Sequence, residues 1–136
     1  MKISTKSILT VLISFLFSGV LTAQVVINEI HYNPNDETSA EEFIELYNLG
    51  GNAIDISGWT ISDAVEFSIP EGTTIPPNGY LVIGEAPDTL NSIFGITALG
   101  PWEGRLRNTG EEIDLRNASG ILQDQVDYNN GFPWST

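Results

Sequence analysis

EFIELYN, residues 42–48, is the stretch from which the fold of this chain is most directly predicted. Aliphatic side chains alternate along it with charged and aromatic ones, which is the two-residue period of a half-buried β-strand. On a strand over Glu41–Asn48, Ile44 and Leu46 share one face. The opposite face carries Phe43, Glu45 and Tyr47. The stretch therefore predicts a strand with one face turned toward a core and a second face of mixed character.

Similar patterns recur on both sides of this stretch and are separated by turn residues. Strands are predicted over Val25–Tyr32, Ile54–Ile56, Trp59–Ile61, Val65–Ile69, Tyr80–Ile83, Ile113–Leu115 and Ile121–Tyr128. The run Tyr80–Ile83 is almost continuously apolar, which favours a central position in a sheet. The connection Glu85–Gly104 is the least strand-like, and the spacing of Leu90, Ile93 and Phe94 predicts a short helix in it. Seven or eight short strands with frequent turns predict an all-β sandwich or barrel.

The first 23 residues have the pattern of a secretory signal peptide. Lys2 and Lys6 form a positively charged start, Ile8–Leu21 is an apolar segment, and Ala23 supplies a small residue before a cleavage site. The apolar segment is shorter than the ~20 residues that a membrane-spanning helix needs. We therefore expect residues 1–23 to be a signal peptide, residues 24–136 to be one domain, and the location to be secreted or cell-surface, without membrane insertion after cleavage.

Acidic residues dominate the charged side chains of the sequence. The 136 residues include 18 Asp and Glu but only 5 Lys and Arg. Removal of residues 1–23 takes away both lysines and no acidic residue, so the formal net charge changes from −13 to −15. Such a charge repels phosphate groups, which argues against a nucleic-acid partner. The absence of cysteine excludes disulfides and thiolate metal sites.

Several blocks of the chain, in order, resemble the bacterial lamin tail domain family. They are Glu42–Asn48 (EFIELYN), Ala53–Trp59 (AIDISGW), Phe67–Thr73 (FSIPEGT), Pro76–Val82 (PPNGYLV), Leu106–Ile113 (LRNTGEEI), Asp124–Tyr128 (DQVDY) and Pro133–Trp134. The resemblance covers nearly all of Val25–Trp134 and implies an immunoglobulin-like β-sandwich. It also implies an exported binding or positioning module, joined in a longer chain to hydrolase, nuclease or CotH-kinase-like domains of a secreted or surface protein.

The sequence lacks the motifs of common catalytic sites. His31 is the only histidine, and no zinc-protease motif, nucleophile elbow or phosphate-binding loop is present. A glycosidase-like acid/base pair could be built from carboxylates, and the candidates are Glu29, Glu42, Glu45 and Asp127. Chance proximity is expected in so acidic a chain. We therefore predict a non-enzymatic module without a cofactor, with an accessory domain of a secreted hydrolase as an alternative.

A calcium-stabilised adhesion module is a further alternative. Its candidate ligands are Asn33, Asn35, Asp36 and Glu37, which supply hard oxygen atoms within one turn-rich segment. No EF-hand loop is present, and a solvated acidic loop explains the same residues.

A second candidate site is the mixed face of the EFIELYN strand. If Phe43, Glu45 and Tyr47 are exposed, they form a contact patch for a protein or a carbohydrate. The alternative is that the Glu85–Gly104 connection, with Phe94 and Trp102, packs over them.

Overall fold

Strands are the predominant secondary structure of the described chain, which in the computed structural model comprises residues 24–32 and 40–131. In chain order the elements are β1 (Val25–His31), β2 (Phe43–Asn48), β3 (Ile54–Asp55), β4 (Thr60–Ser62), β5 (Val65–Ser68), β6 (Thr74–Ile75), β7 (Tyr80–Gly84), α1 (Pro87–Phe94), β8 (Ala98–Leu99), β9 (Glu103–Gly104), β10 (Gly110–Arg116) and β11 (Leu122–Asn129).

The strands form two main sheets. The first has the order β1-β2-β7-β8 and the second the order β11-β10-β4-β5-β9, while β3 and β6 form a separate two-stranded ribbon. Neighbouring strands are antiparallel except β7 and β8, which are parallel. The EFIELYN strand β2 pairs with β1 on one side and with β7 on the other. The apolar run Tyr80–Ile83 therefore lies inside a sheet, as its composition predicted.

The core lies between the two sheets and is filled by alternate side chains of both. Fully buried residues include Ile44, Leu46 and Ile83 from the first sheet and Ile61, Ile113 and Leu115 from the second. Removing these aliphatic groups from water is the main stabilising contribution, because each buried side chain of this size contributes ~1.5–3 kcal/mol. The predicted fold class, an all-β immunoglobulin-like sandwich, is confirmed.

The predicted helix in the Glu85–Gly104 connection is also present. It has Pro87 in its first turn and ends at Gly95, whose φ of 69° lies in the left-handed region and whose N–H donates to the Asn91 carbonyl. Leu90 is the one residue of α1 that is fully buried. No helix among the described residues has the length and apolar character needed to cross a bilayer.

Three two-residue strands were not predicted: β6, β8 and β9. Two of them lie in the Glu85–Gly104 connection, which the sequence pattern indicated as the least strand-like part. A strand of two residues is too short for an alternating pattern to be detected in the sequence. Its position is fixed by the strand with which it pairs. Here β8 pairs with β7 through Val82 and Ala98, and β9 pairs with β5 through Glu66 and Glu103.

The edge strand β1 is tied to the opposite sheet. Its pairing with β2 is interrupted between Ile27 and Glu29. There the Ile27 N–H donates to the Asp124 carboxylate of β11 over 2.8 Å. The bulge and the occupation of the Ile27 N–H by the Asp124 carboxylate both make it unfavourable for another strand to pair with this edge.

Candidate functional site

The outer face of the first sheet displays the mixed face of the EFIELYN strand. Because Ile44 and Leu46 are buried in the core, the residues between and beside them project to the other side of the sheet. Cross-strand register places Tyr47 opposite Tyr80 and Glu45 opposite Val82. The three predicted residues of β2 therefore share one surface with side chains of β7.

One end of this surface is covered. Phe43 is 8% exposed and forms a small apolar cluster with Val82 and Leu90, the buried residue of α1. The His31 ring stacks on Phe43 with 5.1 Å between ring centroids. Phe43 is therefore not an exposed contact residue, which corrects the patch predicted for that position. The cover comes from α1, because Trp102 lies in the main core instead.

The other end of the surface is open. The Tyr47 and Tyr80 rings stack with 4.6 Å between centroids and an interplanar angle of 27°, and Tyr80 is 57% exposed. Glu45 lies beside them, and its carboxylate accepts a hydrogen bond from the Asn28 side chain over 2.8 Å. Glu29 of β1 is opposite Glu45 on the same surface. We call Glu29, Glu45, Tyr47 and Tyr80 the open face.

Glu42, just before β2, is a buried carboxyl group that the sequence pattern did not distinguish from other acids. It is 4% exposed, and its Oε2 accepts the Leu106 N–H over 3.0 Å. Burial raises the pKa of Glu42 from 4.5 to about 7; the Leu106 hydrogen bond and Arg105 oppose the rise, while Glu85 and Glu111 add to it. Glu42 therefore joins the start of β2 to the segment before β10.

Asn48, at the other end of EFIELYN, is fully buried and hydrogen-bonded on both sides of its amide. Its Nδ2 donates to the carbonyl oxygens of Asn52, Ile75 and Pro76 over 2.8–3.0 Å. Its Oδ1 accepts the Gly50 N–H over 2.8 Å. Asn48 therefore fixes the turn after β2 against the end of β6.

The four candidate carboxylates of an acid/base pair are not gathered into one site. Glu29 and Glu45 are opposite each other on β1 and β2. Asp127, in contrast, lies on β11, where it is opposite Glu112. Glu42 is buried, and its carboxyl group accepts a hydrogen bond from the Leu106 N–H.

Two open clefts lie outside the open face. One, about 400 Å³, is lined by Glu85–Asp88 and Gly100–Pro101. The other, about 350 Å³, is lined by Thr60, Glu66–Ser68, Pro101 and Glu103. The first lining carries carboxylates without a hydroxyl, the second carries carboxylates together with the hydroxyls of Thr60 and Ser68, and neither includes histidine or lysine. The described residues therefore offer surfaces for contact more readily than an enclosed reaction site.

The predicted calcium ligands Asn33, Asn35, Asp36 and Glu37 lie outside the described residues. Within the described ranges, no three His, Cys, Asp or Glu side chains are grouped so that they could hold a metal ion.

Comparison with known proteins agrees with the resemblance seen in the sequence blocks. A family model described as Lamin Tail Domain matches residues 21–130. A search of curated proteins finds no match. The matched range includes every strand and the helix described above. Lamin tail domains are a non-enzymatic, immunoglobulin-like domain family. The chain belongs to the lamin tail domain family.

Proposed function

We propose that this protein is an exported, non-catalytic binding and positioning module that contacts its partner through the open face. The observation that carries the proposal is the stacked pair of exposed Tyr80 and half-buried Tyr47, which α1 leaves open while it covers the neighbouring Phe43. Tyrosine is favoured at contact surfaces because its ring supplies apolar area and its hydroxyl a hydrogen-bonding group. The Tyr47 hydroxyl donates to Asn78 Oδ1 over 3.4 Å, and each ring of the stacked pair has one face turned away from the other ring.

The non-catalytic character is supported by the placement of the carboxylates. A glycosidase needs two carboxyl groups ~5–10 Å apart across a cleft, with one of them kept protonated. Among the described residues, Glu42 is a carboxyl group with a raised pKa, but it is buried against Leu106 and outside the linings of both clefts. Membership of a non-enzymatic family agrees with this interpretation.

Binding through the open face is tested by nuclear magnetic resonance on the isotopically labelled domain of residues 24–136. The probes are a basic peptide, a neutral peptide and a neutral oligosaccharide. We expect at least one probe to shift the resonances of Tyr47, Tyr80 and Glu45, and to leave those of the second sheet unchanged. Shifts confined to residues other than the open face, or no shifts with any probe, would contradict the proposed function.

Export is proposed from residues 1–23, which lie outside the described residues. If the full chain is produced with its own N-terminal segment, we expect the mature protein outside the cytoplasm to begin at Gln24 or within one or two residues of it. Mass spectrometry of the secreted or surface-bound protein measures this directly. A mature protein that still begins at Met1 would contradict export by cleavage.

We also propose that the module acts within a longer secreted or surface protein, next to a hydrolase or CotH-kinase-like domain. The support is the resemblance to bacterial lamin tail domains. Mass measurement of the natural protein tests it, since a mature mass equal to that of residues 24–136 alone would overturn the proposal.

Calcium-stabilised adhesion stays a prediction, because its four candidate ligands lie outside the described residues. A ligand that binds the folded state raises its stability. Melting temperatures measured with calcium and with a chelator therefore separate this alternative from the metal-free module.

A further inference from the structure

Two carboxylates oppose each other on the open face. Glu29 and Glu45 are cross-strand neighbours on β1 and β2, where Cβ atoms are typically ~5 Å apart. Like charges at this position destabilise a sheet. Asn28 donates one hydrogen bond to Glu45, but it is a neutral group and does not cancel either charge.

The arginines of the described residues are engaged elsewhere. Their side chains pair with carboxylates outside the open face, as Arg105 with Glu85, Arg107 with Glu111 and Arg116 with Asp114. His31 lies on the same sheet surface but at its covered end, with its ring against Phe43 and Phe94. The pair Glu29–Glu45 therefore has no arginine of the described chain to offset it.

The tyrosine rings lie next to this negative pair. Tyr47 follows Glu45 by two residues on β2, so the two side chains project from the same face ~7 Å apart along the strand. The face of an aromatic ring attracts a cation, and lysine and arginine are the side chains that use this attraction in proteins. Carboxylates and ring faces together match a cation that also carries an apolar stem.

We propose that the open face binds a lysine- or arginine-bearing segment of a protein partner. The cationic group lies between the carboxylates of Glu29 and Glu45, and its stem packs on Tyr47 and Tyr80. This inference rests on the proposed function and narrows the partner to a basic polypeptide. A neutral sugar is disfavoured as the principal ligand, because it carries no charge to compensate the repulsion between the carboxylates of Glu29 and Glu45.

The test measures the affinity of the labelled domain for a short capped peptide carrying arginines, at low and at physiological salt. The control peptide replaces each arginine with citrulline, which keeps the shape and removes the charge. We expect the arginine peptide to bind at the open face and the citrulline peptide to bind at least about tenfold more weakly.

Two pairs of variants separate a specific site from general attraction to an acidic protein. The double variant Glu29→Gln, Glu45→Gln is expected to weaken binding about tenfold. The matched control is Glu112→Gln, Asp127→Asn, which removes the same charge from an exposed cross-strand pair on the second sheet and is expected to weaken binding less than about twofold. Tyr80→Ala is expected to cost about threefold, while Tyr80→Phe keeps the ring and most of the affinity.

The outcomes distinguish this inference from the proposed function. Equal weakening by the two charge variants would show nonspecific attraction and overturn the basic-partner site. Binding of the oligosaccharide or the citrulline peptide at Tyr47 and Tyr80, without preference for the arginine peptide, would also overturn it but would leave the proposed function standing. Absence of any shift at the open face with every probe would overturn both.

Discussion

Replacing Asn48 with alanine is expected to lower the free energy of unfolding by about 4 kcal/mol. The variant removes a side chain that donates to three backbone carbonyls and accepts from one backbone N–H. Each such bond contributes ~1 kcal/mol, and backbone groups left buried without a partner cost more than that. Since small domains are stable by only ~5–15 kcal/mol, this loss is a large fraction of the total.

The isosteric variant Asn48→Asp tests whether the hydrogen bonds of Asn48, and not only its size, stabilise the domain. It has the size of asparagine, but the Nδ2 donor is replaced by an oxygen that faces the carbonyls of Asn52, Ile75 and Pro76. We expect it to be at least as destabilising as alanine, because one carboxylate oxygen keeps the Gly50 N–H while the other is buried against carbonyl acceptors.

Chemical denaturation of the wild type and both variants gives these free energies. The control is Asn52→Ala, which removes an exposed side chain but keeps the carbonyl that Asn48 uses. It is expected to change stability by less than ~0.5 kcal/mol. A loss under ~1 kcal/mol for Asn48→Ala would show that the turn and β6 are held by other contacts.

The local pattern in EFIELYN predicted the fold because the burial of a strand alternates with a fixed period. Ile44 and Leu46 lie in the core, as alternation required, and Tyr47 projects to the opposite side. The apolar run of β7 similarly predicted an interior strand, and Pro87 with Gly95 delimited α1. These properties depend on neighbours only two to four residues apart, so one sequence is sufficient to predict them.

Alternation places Glu42 and Asn48 on the same face as Ile44 and Leu46, but it does not identify their partners, which lie far along the chain. Glu42 meets the N–H of Leu106, which is 64 residues away, and Asn48 meets the carbonyl of Ile75, which is 27 residues away. The burial of Phe43 likewise depends on Leu90 of α1. In each case the group that the side chain contacts is determined by the packing of the two ends of β2 against distant segments.

The stability of the protein is expected to depend on the protonation of Glu42. Burial raises its folded pKa from 4.5 to about 7, so the folded state binds this proton more tightly than the unfolded chain does. The contribution of Glu42 is therefore fully present below about pH 4.5 and is lost as the pH rises through about 7. Such a shift corresponds to about 3 kcal/mol, because one pKa unit is equivalent to ~1.4 kcal/mol.

The variant Glu42→Gln isolates this contribution. Its side-chain oxygen can still accept the Leu106 N–H, but it never carries the charge that burial and the carboxylates of Glu85 and Glu111 disfavour. We expect the variant to be about as stable as the wild type near about pH 4 and ~2–3 kcal/mol more stable at about pH 8. Denaturation of both proteins across this range measures the difference directly.

Comparison of the two proteins at each pH is essential because every other carboxylate titrates in both. Repulsion among the many carboxylates also destabilises the folded state as the pH rises. This effect is nearly the same in both proteins, so it cancels to first order when their free energies of unfolding are subtracted. The control Glu112→Gln removes one negative charge from an exposed position of β10. It is expected to change stability by less than ~0.5 kcal/mol throughout, as surface substitutions do. A Glu42→Gln difference that stays constant across the range would mean that Glu42 binds its proton equally well in the folded and unfolded states, and would contradict the raised pKa.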